Sequence, residues 1–142
     1  MKIITFTLML LTMSVEVEAN DKTILLFGTQ NQIFTNINRL ENADYVVKHY
    51  HIDGGRLFEK EISANLSNNP KIALRQAKAN FKEYKSLWAA KGKRSWQGVI
   101  NAQSLNITKV PAITFDNGKT VIYGVLGLSN AYRIWDNYVN SK

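Results

Sequence analysis

Hydrophobic positions along this chain come in short unbroken runs and in stripes of helical period, with glycine, asparagine and proline between them. Residues 23–27 (TILLF) form an apolar run closed by Gly28. Its lack of alternation suits a central strand covered on both faces. Ile33, Phe34, Ile37 and Leu40 then recur at helical spacing and predict a helix over 30–40. Residues 44–52 (DYVVKHYHI) are the second strand, broken by Asp53-Gly54-Gly55. A short helix over 56–66 turns Leu57, Phe58, Ile62 and Leu66 inward.

The next helix announces its start. Asn69 can cap it, and Pro70 takes the first helical position, where a missing N–H costs nothing. Ala73, Ala77, Phe81, Tyr84 and Trp88 make its inward stripe, and Lys91-Gly92 are read as its end. Ser95 caps a further helix over 96–105, facing inward through Val99, Ala102 and Leu105. Strands over 111–115 and 119–123 flank Asp116-Asn117-Gly118, a hairpin signal because Asn-Gly accepts positive φ. Leu128, Ala131, Ile134, Trp135 and Tyr138 predict a closing helix over 128–139. No internal repeat or linker divides the chain.

The first 19 residues (MKIITFTLMLLTMSVEVEA) have a different character: one lysine, an apolar middle and a Val-Glu-Ala exit. They read as a secretory signal, leaving 20–142 as a single domain in the periplasm or otherwise exported. The apolar stretch falls short of the roughly 20 residues a membrane span needs, and no second one follows. Cleavage after Ala19 lowers the basic count from 18 to 17 and the acidic count from 11 to 9, so the net charge rises from +7 to +8. An apolar fraction of 45% gives such a domain a core of its own. The absence of cysteine excludes thiol nucleophiles, disulfides, iron–sulfur clusters and thiolate metal sites.

The order strand, helix, strand, helices, hairpin, helix is a thioredoxin-like one, with a mixed four-stranded sheet flanked by helices. The segment ITKVPAITF at 107–115 resembles the cis-proline segment of thioredoxin-fold proteins, which implies a cis bond before Pro111. The plainer reading of Pro111 is a loop proline entering a strand. Where that fold's redox members carry Cys-X-X-Cys, this chain has Gly28-Thr29-Gln30-Asn31-Gln32, whose side chains cannot exchange a disulfide.

Closer still is a resemblance to a family of small exported proteins encoded in integrating conjugative elements. It is carried by Ile33-Phe34-Thr35, by Trp96-Gln97-Gly98-Val99 with Ala102 and Leu105, by Thr108-Lys109-Val110-Pro111-Ala112, and by Val121-Ile122-Tyr123-Gly124-Val125. A more distant likeness is to F-type pilin assembly proteins, which share the Val-Pro-Ala element. The resemblance implies a role beside type IV secretion proteins in conjugative DNA transfer and brings no biochemical activity with it.

Candidate chemistry is sparse. A groove between Thr29, Gln30, Val110 and Pro111 is where an extended peptide could pair with exposed backbone. Gly118-Lys119-Thr120 mimics the end of a phosphate-binding loop, but Ile113 stands where the leading glycine belongs, and a hairpin explains it. His49 and His51 share a strand face, and as a metal pair they would need a third ligand such as Asp44 or Asp53. Lys71, Arg75, Lys78, Lys82 and Lys85 form one cationic stripe, either a solvated face or a docking surface for an acidic protein, anionic lipid or nucleic acid. With Tyr84 and Trp88 on the inward stripe, base stacking gains no support. The expectation is a non-catalytic binding protein without cofactor or metal, whose partners are envelope proteins of a conjugative apparatus. Nucleic-acid binding through the basic helix is the alternative, and an enzyme built on Thr29, Gln30 and His49 ranks last.

Overall fold

The computed structural model describes residues 22–142, so the expected export signal lies outside the described residues. The elements are β1 (Thr23–Gly28), α1 (Ile37–Glu41), β2 (Val46–His51), α2 (Gly54–Ser63), α3 (Pro70–Ser104), β3 (Ala112–Phe115), β4 (Thr120–Tyr123) and α4 (Leu128–Asn140). They build a mixed four-stranded sheet in the order β2-β1-β3-β4. β1 pairs in parallel with β2, and β3 runs antiparallel to both β1 and β4. This α/β arrangement is compatible with the expected thioredoxin-like architecture, and the Val110-Pro111 bond is cis.

The apolar run of β1 sits at the centre because both faces of that strand are covered. Ile24 and Leu26 point into one cluster with Phe34, Leu40, Ile113, Phe115 and Leu128, under α1 and α4. Phe27 points to the other side, with Ala102, Ala112 and the flanking Leu25, Tyr50 and Leu105, under the end of α3. Side chains of successive strand residues alternate between faces, so one short run supplies two cores. On the first face Trp135 stacks on Phe115 at 5.0 Å and donates its indole N–H to Asp116 at 2.9 Å. That bond ties α4 to the β3–β4 turn, where Asp116, Asn117 and Gly118 all take positive φ.

Two expected elements differ. The helix over 30–40 shrinks to α1, because Thr35 pairs instead with the β4–α4 connection. Its amide donates to the Leu126 carbonyl and its own carbonyl accepts from Leu128, both at 3.0 Å. Phe34 keeps its inward place, whereas Ile33 is 75% exposed. The second difference is larger. Lys91-Gly92 does not end a helix, and the two helices expected over 70–92 and 96–105 are one helix of 35 residues. Asn69 caps it as expected, accepting from the amides of Lys71 and Ile72. Gly92 stays helical and makes room: a Cβ there would come within 3.1 Å of the Phe58 ring. Its lack of a side chain serves helix contact rather than chain reversal.

At about 1.5 Å per residue, α3 is roughly 50 Å long, while a six-residue strand such as β1 spans only about 20 Å. The helix therefore outruns the sheet. It meets the sheet near its C-terminal end, where Gly98 lies on the β2 backbone, and only Gly98 and Ala102 of its 35 residues are buried. The rest projects, joined by α2 in an antiparallel hairpin that Glu61–Lys91 and Ser67–Gln76 contacts hold together.

Gly98→Ala separates two effects of opposite sign. Helix propensity alone predicts a gain of up to about 1 kcal/mol, but the added methyl would overlap the His51 carbonyl oxygen. The clash wins, and urea denaturation should show a net loss of about 1–3 kcal/mol.

Candidate functional site

Pairing of Phe27 with Ala112 places Gly28 opposite Pro111 across the antiparallel β1–β3 ladder. The Thr29-Gln30 segment thus leaves the sheet at the same end as Val110-Pro111. Thr29 and Gln30 do not offer free amides: the Thr29 N–H donates to the Gln32 side chain at 2.9 Å and the Gln30 N–H to the Asp53 carboxylate at 3.0 Å. Gln30 and Val110 line different clefts. Val110 belongs to one of about 240 Å³ between the end of β2 and α3, with Ile52, Val99, Ala102 and Ile107. Gln30 belongs to a more polar one of about 350 Å³, shared with His49, His51, Gly54, Lys91 and Arg94.

The two histidines share a strand face as the alternation requires, with ring centroids 4.3 Å apart, and His49 also meets the edge of Phe34. Their expected carboxylate partners are elsewhere. Asp53 is occupied by the Gln30 amide, and Asp44 sits in the positive-φ turn before β2. Among the described residues no three His, Cys, Asp or Glu side chains gather as a metal site. Ser95, the aliphatic hydroxyl of this cleft, donates back to the Lys91 carbonyl of its own helix at 2.9 Å. With no cysteine in the chain, dithiol chemistry has no reacting atoms.

The basic stripe is present as the spacing predicts. Lys71, Arg75, Lys78, Lys82 and Lys85 are all exposed along α3, and no ion pair engages them among the described residues. The inward stripe beside it is only half covered. Trp88 is half-buried and stacks with Tyr84 at 5.8 Å, while Tyr84 is 40% and Phe81 53% exposed. α2 has ten residues against the 35 of α3, too few to cover an apolar stripe of that length. Leu74 and Leu87 stand out on its two sides. The aromatics and lysines run side by side rather than interleaved, Tyr84 lying about 120° around the helix from Lys78.

Against this geometry stands one family relationship. The chain belongs to the DUF1525 family, proteins of unknown function, whose model matches residues 29–141. No curated protein and no solved structure gives a match. The DUF1525 match takes in both clefts and the whole α2–α3 hairpin.

Sequence reasoning reached the histidine pair, the cis-proline and the lysine stripe. It missed Lys91 and Arg94 as neighbours of the histidines, because placing them there requires α3 to pass the helix end expected at Gly92. It also placed Phe81 and Tyr84 inside, since a periodic apolar stripe marks a face without saying what covers it.

Partial burial, and after it the charge of His51, lowers the His49 pKa from its ordinary 6.5. The unfolded chain then binds more protons as pH falls, so His49 withdraws stability from about pH 6.5 downward until its folded midpoint is passed. An NMR titration should place the His49 midpoint below 6.5, and His51→Gln should move it upward.

Proposed function

We propose that this DUF1525 protein is an exported, non-catalytic binding component of a conjugative element's type IV secretion apparatus, engaging envelope proteins of that system. The observation that carries a binding role is the α2–α3 hairpin, which extends past the sheet with Phe81, Tyr84 and Leu87 uncovered. Single exposed apolar residues are ordinary, whereas several on one projecting element mark an interaction surface. The lack of any cysteine, and a Ser95 hydroxyl turned back to the Lys91 carbonyl of its own helix, support a role without catalysis. The conjugative setting and the export rest on the sequence resemblance and on the signal-like 1–19 segment.

A photo-crosslinking residue placed at Phe81 and, separately, at Val110 tests this in donor cells. Crosslinks to secretion-system envelope proteins are expected from at least one position. Their absence from both, with the protein folded and expressed, would overturn the reading.

A second reading has its own observation: five exposed cations on one helix face with no ion-pair partners among the described residues. Nucleic-acid binding there predicts that log affinity falls linearly with log salt, with a slope of about −0.7 to −0.9 per phosphate contact. The double variant Lys78→Glu, Lys82→Glu should abolish it. Salt-insensitive binding, or none to single or double strands, would remove this reading.

A further inference from the structure

The uncovered side of the hairpin is concave. Phe58 and Ile62 of α2 face Ala77, Phe81 and Trp88 of α3 across a trough of about 530 Å³ whose lining is almost wholly carbon. Lys78 lines its α3 edge. Lys82 and Lys85 continue that edge, since residues three and four apart stack along one face of a helix. From Ala77 to Ala89 the trough runs for about 18 Å, the length of a three-turn helix.

We propose that this trough takes one amphipathic, acidic helix of a partner protein, converting the α2–α3 hairpin into a three-helix packing. The proposal rests on the binding role above and names the class of partner. Two antiparallel helices leave a groove into which the ridge of a third packs at about 8–10 Å between axes. Apolar residues at i, i+3, i+4 and i+7 would fill it, and carboxylates on the flank would meet Lys78, Lys82 and Lys85.

The shape and charge of the trough argue against the other occupants. A second copy would bring the same cationic edge against itself. A lipid surface would be met by the protruding Leu74 and Leu87 on either side, not by the recessed Trp88 and Ile62 that line the trough itself. Nucleic acid gains nothing from Ile62 and Ala77, which offer neither a stacking face nor charge.

The probes are a synthetic 18-residue helix with leucine at i, i+3, i+4 and i+7 and glutamate on its flanks, and a twin with lysine for every glutamate. Amide chemical shifts of the whole protein read the binding. The acidic peptide should move Ala77, Phe81 and Ala89 and leave α4 unmoved. Phe81→Asp should weaken it about tenfold or more, and because Phe81 is half-exposed the fold should survive, which the unchanged α4 signals verify. The double variant Lys78→Glu, Lys82→Glu should lose the acidic peptide and gain the lysine twin.

Equal binding of both peptides, or binding of neither, would overturn the proposal. So would shifts at these residues produced by phosphatidylglycerol vesicles but not by peptide, or self-association abolished by Phe81→Asp. If the peptides fail while envelope crosslinks persist, the acidic-helix proposal falls alone. If crosslinks fail while the peptide binds as described, the secretion-system role falls and the trough keeps its ligand class.

Discussion

The close backbone approach between α3 and the β2–α2 junction is the constraint on which the remainder of the molecule depends. Three glycines make it. A Cβ on Gly98 would strike the His51 carbonyl, one on Gly54 would come within 2.6 Å of the Ser95 carbonyl, and one on Gly55 would enter the Trp96 ring. Without side chains at these points, the end of an edge strand and the start of α2 can both lie directly on α3. Helix packing at ordinary side-chain distances would leave the Phe27, Ala112 and Ala102 core without its lid. The same contact sets the direction in which α3 departs, and so decides that most of the helix lies beyond the sheet.

The two faces of the sheet are closed by different means. On the α1–α4 side large side chains do the work, with Phe115, Trp135 and Tyr132 in mutual contact and Tyr45 packed on Tyr132. Burial and the hydrogen bond to Tyr132 push the Tyr45 phenol up to about 12. On the α3 side the fit is backbone against backbone, and few side chains are buried. Both clefts described above and the apolar trough border α3.

Much of this was legible in advance, and the reasons are local. The TILLF run, the Asn-Gly turn, the Asn69-Pro70 cap and the Leu128, Ala131 and Trp135 part of the last stripe each depend on residues within a dozen positions of one another, whereas Ile134 and Tyr138, expected inside with them, are exposed. What stayed hidden depends on partners far along the chain. Gly92 reads alike as a helix stop and as a point of close approach, and only the position of Phe58 decides between them. Ile33 is apolar and periodic yet exposed, because Thr35 spends its backbone groups on a bridge to Gly127 some ninety residues later. The candidate site follows the same rule. Lysines at fixed helical spacing are visible in the letters, whereas a trough between two helices exists only once both are placed.

The length of α3 gives the molecule a mechanical property as well as a surface. A helix pinned near one end acts as a lever. Pro70 lies 28 residues from Gly98, about 42 Å along the axis, so a tilt of only 10° about that pin carries the tip roughly 7 Å. A force applied to the hairpin reaches the sheet at the His51 carbonyl with its displacement reduced and its leverage multiplied. The glycine contact is therefore a fulcrum, placed at the edge strand that bears the two histidines.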